Sequence, residues 1–263
     1  MMTEEEVSSN MNELTSLYLD EPFLVVSASD ESTTLQLDNV ANKNRQRLST
    51  KGILTLMNHY DSIRELSLSY SLLSNELLRA LSSNEALHLE TLRVEAHPEL
   101  KPPEDVSQET WFVFANHSPN LNFVLLTYLN DARDYDALLA THVPLTHLYF
   151  GDSAPSSAIA RVAERCPRLT ELVVGAYGPD TIDEILIAAA RGCPRLSAVG
   201  LGDCELTCSG LIKFVSLCCE RLRMLYVLDT SLLEDAEHDV MEVSAKVSSL
   251  LGKSWHPHYV PYW

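Results

Sequence analysis

The chain has 263 residues, of which 37 are acidic and 19 are Lys or Arg, so its formal net charge is −18. Apolar residues make up 46% of it, enough for the core of one large or two ordinary domains, which excludes disorder throughout. The excess of negative charge argues against a nucleic-acid-binding protein, because phosphate would repel such a chain.

The basic and the apolar residues also argue against a basic binding site and against a membrane or secreted protein. The largest basic cluster is interpreted as a solvated helix face rather than a binding site, and consists of Lys43, Arg45, Arg47 and Lys51. No stretch approaches the ~20 continuous apolar residues of a membrane span. The first six residues include three glutamates and no Lys or Arg, unlike a secretory signal, which begins with basic residues. We therefore expect a soluble intracellular protein that binds neither nucleic acid nor membrane.

The N-terminal segment, residues 1–31, contains eight acidic residues and no Lys or Arg. It has little apolar periodicity, and we expect it to be poorly ordered. A degenerate repeat unit is expected just after it, around Leu35-Gln-Leu37. The regular part of the fold is therefore predicted to span residues 32–230.

A motif of the form L-x-x-L-x-L recurs seven times, in a chain in which about one residue in six is leucine. The copies occupy residues 63–68, 89–94, 121–126, 145–150, 169–174, 196–201 and 222–227. Their middle apolar positions are 24 to 27 residues apart, except for one interval of 32. That interval contains a proline-rich insertion, residues 97–105, which we expect to leave the repeat as a loop. This spacing is typical of leucine-rich repeats.

Each repeat predicts a short strand whose alternate apolar residues point inward, followed by a helix that covers the other side. Ser156–Arg165 has the helical pattern and stops at Cys166-Pro167. The predicted fold is thus an α/β leucine-rich-repeat solenoid of seven to eight repeats, a curved parallel sheet with helices on its convex side. Residues 231–263 should form a capping helix and a tail.

The six cysteines fit this repeat pattern. Four of them fall at positions set by the repeat: Cys166, Cys193 and Cys219 each lie three residues before a motif leucine, and Cys204 lies three residues after one. Buried, reduced thiols are expected. Cys204 and Cys208 could suggest a metal pair, but no second pair follows at zinc spacing. Catalytic and nucleotide-binding motifs are also missing from the sequence, so a non-enzymatic protein without cofactor or metal is predicted.

The C-terminal segment begins with an acidic stretch, residues 229–242, and should then form the capping helix. This helix is expected to begin near Asp235–His238 and to end at Gly252. Its apolar face is predicted to consist of Val240, Val243, Val247 and Leu250.

Two of the three tryptophans, Trp255 and Trp263, lie in the last eleven residues. Chain termini are usually frayed and polar, so these rings are expected to be buried somewhere. For Trp255 we favour packing against its own solenoid, and for Trp263 insertion into a partner. Burying the ~200 Å² of an indole at ~25 cal/mol per Å² would contribute up to about 5 kcal/mol before ordering costs.

Four segments carry a resemblance to a known family: residues 145–151, 166–174 and 204–209, and the ending Trp255-x-Pro257-x-x-x-Pro261-x-Trp263. They resemble the F-box/leucine-rich-repeat proteins that target cryptochromes, of the F-box and leucine-rich-repeat protein 3 type, best over residues 111–263. The resemblance implies that the solenoid and tail bind the photolyase-like domain of a cryptochrome. The F-box of that family joins a Skp1–cullin ubiquitin ligase, which marks the bound clock protein for degradation in the nucleus and cytoplasm.

By this resemblance Trp263 would fill the flavin pocket of the cryptochrome, with Pro261 and Tyr262 shaping its entry. Tyr259 and Trp255 complete the residues assigned to partner binding. One departure concerns the F-box, which typically opens with Leu-Pro, because none of the twelve prolines follows a leucine. Skp1 is therefore a partner only if the full-length protein has an F-box. The alternative is a leucine-rich-repeat scaffold or decoy that binds without ubiquitylation, for example a basic partner through its acidic surface.

Overall fold

The computed structural model describes residues 24–29, 32–37, 63–85, 87–151, 154–228 and 231–258, with side chains from residue 63 onward. Most of the acidic N-terminal segment and the basic cluster around Lys43–Lys51 lie outside the described residues. None of the helices within the described ranges is long and apolar enough to cross a membrane.

The main structural element is a nine-stranded sheet in which every strand after the first pair runs parallel to its neighbours. Its strands follow the order of the chain: β1 (Leu24–Ser29), β2 (Ser32–Leu37), β3 (Ile63–Ser69), β4 (Thr91–Ala96), β5 (Asn122–Thr127), β6 (Leu145–Phe150), β7 (Glu171–Ala176), β8 (Ala198–Asp203) and β10 (Met224–Val227). A separate short pair is formed by β9 (Leu206–Thr207) and β11 (Leu232–Leu233).

The helices follow the strands along the chain, and most of them pack against a neighbouring helix on the convex side of the sheet. They are α1 (Asn75–Ser83), α2 (Gln108–His117), α3 (Tyr135–Leu138), α4 (Ser156–Ala160), α5 (Val162–Arg165), α6 (Asp183–Gly192), α7 (Cys208–Cys218) and α8 (Val240–Leu251). One strand and one helical segment per 24 to 32 residues is the arrangement of a leucine-rich repeat. The predicted α/β leucine-rich-repeat solenoid is therefore confirmed.

The core lies between the sheet and the helices and is built in rows that run across the strands. One such row joins equivalent inward positions of six successive repeats, and every member is buried: Val94, Leu125, Leu148, Leu172, Val199 and Leu225. Each repeat buries its apolar positions mainly against its neighbours, so the stability of one repeat depends on the next.

The third repeat differs from the predicted frame by one residue. The sequence pattern aligned Val124 with the inward leucines, but Phe123 and Leu125 point inward and Val124 lines the concave face. A bulge between Phe123 and Val124 restores the register with β6, where Phe123 faces Leu145 and Val124 faces His147. Apolar residues fill most of this motif, so alternation alone did not define which of them face the core.

The proline-rich insertion forms a loop that is tied to the repeats on both sides. Asn75 of α1 donates from Nδ2 to the Asp105 carbonyl (3.3 Å) and accepts from the Ser107 amide at Oδ1 (2.9 Å). On the other side, Lys101 Nζ lies 2.6 Å from Asp134 Oδ2. The insertion therefore leaves the repeat pattern, as predicted, but stays fixed to the solenoid.

Carboxylates join neighbouring repeats at the helix N-termini. Asp183 accepts hydrogen bonds from the Thr207 amide (3.0 Å) and hydroxyl (2.6 Å). Asp235 does the same for Ser209, at 2.7 Å from the amide and 3.0 Å from the hydroxyl. The Ser209 amide, together with further backbone and hydroxyl donors, lowers the pKa of Asp235 to about 2. Part of the acidic excess therefore holds the solenoid together.

The boundaries differ from the predicted ones at three places. Strand β1 lies within the segment assigned to the acidic N-terminus, so the sheet begins before residue 32. The helix predicted over residues 156–165 is divided at Arg161 into α4 and α5. The capping helix begins at Val240, because Asp239 caps it by accepting from the Glu242 amide, and it ends at Gly252 in a left-handed conformation (φ 65°).

One of the four residues assigned to the apolar face of the capping helix, Leu250, was assigned incorrectly. Val243 and Val247 are fully buried, as predicted, and Val240 packs against the core. Leu250 is 38% exposed, and the neighbouring Leu251 contacts the core in its place. The cysteines follow the expectation closely: Cys219 is half-buried, and the other five are buried free thiols.

Candidate protein-binding surface

The concave face of the sheet carries a shallow cavity of about 550 Å³ across β3 to β7. Its lining comes from the outward positions of these strands, and includes Glu65, Arg93, Asn122, His147, Tyr149 and Glu171. The described residues contain no cluster of three or more metal-ligating side chains. A lining of this kind can hydrogen-bond to the surface of another macromolecule.

Side chains from two neighbouring strands interact at the β7 end of this cavity. The Tyr149 hydroxyl donates to Glu171 Oε1 at 3.0 Å, and burial together with this carboxylate raises the pKa of Tyr149 to about 12. Burial also lowers the pKa of His147, against the opposing effect of Glu171. His147 is therefore neutral near pH 7 and can either donate or accept a hydrogen bond.

Toward the C-terminal end the concave face loses its charge. Beyond Glu171, the outward positions form what we call the uncharged strip: Val173, Ala198, Gly200, Met224 and Tyr226. Met224 and Tyr226 are 62% and 41% exposed. An exposed apolar surface of this kind is typical of a macromolecular contact, the more so in a chain with a net charge of −18.

The tail runs along the free edge of the last strand, β10. Three alternate backbone carbonyls each accept a hydrogen bond from the tail: that of Arg223, directly before β10, and those of Leu225 and Val227 within it. Their donors, in chain order, are Lys253 Nζ (2.5 Å), Trp255 Nε1 (2.9 Å) and the His258 amide (2.8 Å). The residues from Lys253 to His258 and these three carbonyls are called the edge clasp below.

The edge clasp is also fixed from the capping helix. Ser248 Oγ accepts from the Trp255 amide at 2.9 Å and donates to the Trp255 carbonyl at 3.1 Å. Trp255 is only 6% exposed, which agrees with the interpretation that it packs against its own solenoid. A direct contact between its indole and a partner stays a prediction.

The last described residue brings the tail to the uncharged strip. His258 forms a parallel bridge with Leu228, and its ring stacks on Tyr226 with centroids 4.1 Å apart. The other residues assigned to partner binding, Tyr259, Pro261, Tyr262 and Trp263, lie outside the described residues. They follow directly in sequence from this point.

Sequence reasoning missed three residues of this surface. Tyr226 was detectable, because it occupies the outward position between the inward Leu225 and Val227 of the last repeat. His258 lies in the segment that the two tryptophans mark, but nothing in the sequence indicated that its ring would stack on the sheet. Ser248 gave no signal, since a serine on a capping helix is usually a solvated residue.

Comparisons with known proteins agree with the repeat architecture and extend the similarity along the chain. No family model matches. F-box/LRR-repeat protein 21 of Mus musculus is 36% identical over 248 residues, and those of Bos taurus and Ovis aries are 35% identical. Each match covers 93% of this chain, so the similarity extends beyond residues 111–263, where the resemblance was best in sequence. This similarity supports the F-box/LRR-repeat family for the chain. The chain spans 56% of the length of these relatives.

The similarity to a solved structure is weaker than the similarity to these relatives. The crystal structure of a TLR13–ssRNA13 complex aligns with 82% of this chain and 31% of that chain, with a TM-score of 0.38 and 13% identity.

Proposed function

We propose that this chain, which is similar to F-box/LRR-repeat proteins along 93% of its length, is the substrate-recognition part of a Skp1–cullin–F-box type ubiquitin ligase. In this role it is a non-catalytic adaptor that presents a bound protein for ubiquitylation and proteasomal degradation. The relatives are longer than this chain, so assembly with Skp1 belongs to the proposal and depends on an F-box in the full-length protein.

The proposed substrate is a cryptochrome, bound through its photolyase-like domain. Trp263 enters the flavin pocket, Pro261 and Tyr262 shape its entry, and Tyr259 follows the edge clasp directly. The observation that carries this proposal is the attachment of the tail to the end of the concave face, where His258 stacks beside the uncharged strip. A tail that leaves the solenoid there can bind a partner that also covers the strip.

The central test is binding of the chain to a cryptochrome photolyase-like domain, measured by titration calorimetry. Trp263→Ala should weaken binding at least tenfold, which corresponds to about 1.4 kcal/mol. Phe112→Ala is the matched control, since Phe112 is an exposed aromatic residue (53%) on α2, on the convex side. A smaller loss for Trp263→Ala, or an equal loss for both variants, would contradict the anchor role.

Two further measurements separate the parts of the proposal. Free flavin should compete with the chain for the cryptochrome, and indifference to flavin would remove the pocket model. A pull-down probed for Skp1 and cryptochrome together should give both bands with the full-length protein. Cryptochrome without Skp1 would instead indicate a decoy or scaffold. Binding that collapses with salt and ignores tail truncation would indicate recognition of a basic partner by the acidic surface.

A further inference from the structure

We propose that the edge clasp is the positioning element of recognition: it holds His258, the last described residue of the tail, at one place on the solenoid, and so determines how tightly the residues that follow it in sequence bind. This inference rests on the proposed function, because the bound partner is the same. It assigns positioning roles to Ser248, Lys253 and His258, which contact the tail or the sheet and not the partner's pocket.

The first support is the register of the hydrogen bonds. The acceptors are at residues 223, 225 and 227, which are the alternate carbonyls on one edge of a strand. A tail shifted along β10 would lose all three together. One register is therefore strongly favoured, and the tail cannot slide along the edge without breaking them.

The second support is the way Ser248 holds the backbone. Its hydroxyl bonds both the amide and the carbonyl of Trp255, so it fixes the orientation of that peptide segment on the capping helix. The buried indole then donates to Leu225 from the other side. Trp255 is thus held between the capping helix and β10, and the chain direction after it is defined.

The third support is where the clasp ends. The His258 amide reaches Val227, the last residue of β10, and the His258 ring lies on Tyr226 of the uncharged strip. The described part of the tail therefore ends at the carboxyl end of the sheet, on its concave side. A tail that is free before binding must lose conformational freedom at each backbone residue that becomes fixed on binding. Residues held before binding avoid that loss.

The test combines clasp variants with loss of the terminal indole. Ser248→Ala removes the two bonds to Trp255, and Lys253→Met removes the donor to Arg223 while keeping most of the length of the side chain. Ser249→Ala and Lys246→Met are matched controls, because both residues are exposed on the same helix and Lys246 bonds to His238 rather than to the tail. The probe is a cryptochrome photolyase-like domain, and every chain is tested with Trp263 and with Trp263→Ala.

The double variant Ser248→Ala/Lys253→Met should weaken binding about tenfold, or about 1.4 kcal/mol, in the chain that keeps Trp263. In the Trp263→Ala background the same double variant should change binding less than twofold, since a positioning residue acts only through the group it positions. An equal loss in both backgrounds would assign these residues a general structural role and overturn the inference.

A measurement without partner completes the test. Exchange of the His258 amide, followed by NMR, should be slow in the unaltered chain and in both controls, and fast in the double variant. Fast exchange with unchanged binding would overturn the inference while leaving the proposed function intact. If the unaltered chain fails to bind the domain, the proposed function is overturned, and the positioning role falls with it.

Discussion

Gly192 offers a stability test of how closely adjacent repeats approach, because it ends α6 where this helix meets α5 of the preceding repeat. A Cβ atom at this position would lie 2.0 Å from the Ala163 carbonyl oxygen and 2.7 Å from its carbon. Heavy atoms attract one another at about 3.5–4.0 Å, so these distances are strongly repulsive. The Cβ would be fixed to the backbone of α6, and the atoms it meets belong to the backbone of Ala163, so no side-chain rotation can relieve the clash.

Two effects of Gly192→Ala oppose each other. Alanine favours the helix over glycine by about 1 kcal/mol. Overpacking in a well-packed interior costs about 1–3 kcal/mol, and a clash between two helix backbones belongs at the upper end of that range. We therefore expect a net loss of about 2 kcal/mol in the free energy of unfolding, or a fall of about 4–8 °C in the melting temperature.

The assay is urea unfolding followed by circular dichroism, with Gly178→Ala as the control. The nearest atom to a Cβ at residue 178 is the Ser156 hydroxyl at 3.4 Å, so that substitution should stay within about 0.5 kcal/mol of the unaltered chain. If Gly192→Ala is as stable as Gly178→Ala, the spacing of these repeats is not set by backbone contact and the reasoning fails.

Two further predictions concern titratable groups. Asp235→Ala should lower the melting temperature at pH 7. The pKa of Asp235 is lowered from its ordinary value of 3.8 to about 2 in the folded chain, so the difference in melting temperature from the unaltered chain should shrink as the pH falls through this window. A difference that stays constant between pH 3.8 and about 2 would contradict the role of the carboxylate. Burial raises the pKa of Cys166 and Cys204 to about 12 and that of Cys193, Cys208 and Cys218 to about 11. A thiol reagent at pH 7.5 should therefore modify at most Cys219 rapidly in the native chain, and all six thiols in denaturant. Rapid modification of a second thiol in the native chain would contradict the buried positions.

The repeat fold could be predicted because two independent periods coincide in the sequence. Alternating apolar residues define each strand, and the interval of 24 to 27 residues defines the repeat. The frame failed at residues 121–126, where apolar residues at nearly every position allow two registers. The start of the capping helix was placed too early, because Asp235 looks like a helix-starting residue. In the fold it accepts bonds from Ser209 instead.

The tail could be predicted only in part. Two tryptophans in eleven residues indicated a buried or binding segment. The edge clasp could not be predicted, because its acceptors are backbone carbonyls, and every residue of any strand has one. Only the three-dimensional register shows that Lys253, Trp255 and His258 reach carbonyls at every second residue of β10.

The edge clasp also affects how the chain associates with other molecules. The exposed edge of a sheet presents unpaired carbonyls and amides on which a strand from another molecule can add. Here the tail occupies three acceptors on the outer edge of β10 and so protects the molecule from self-association at that end. Loss of the tail by proteolysis would uncover this edge. The edge clasp, which we propose to position the tail for recognition, therefore also protects the chain against strand addition at this end.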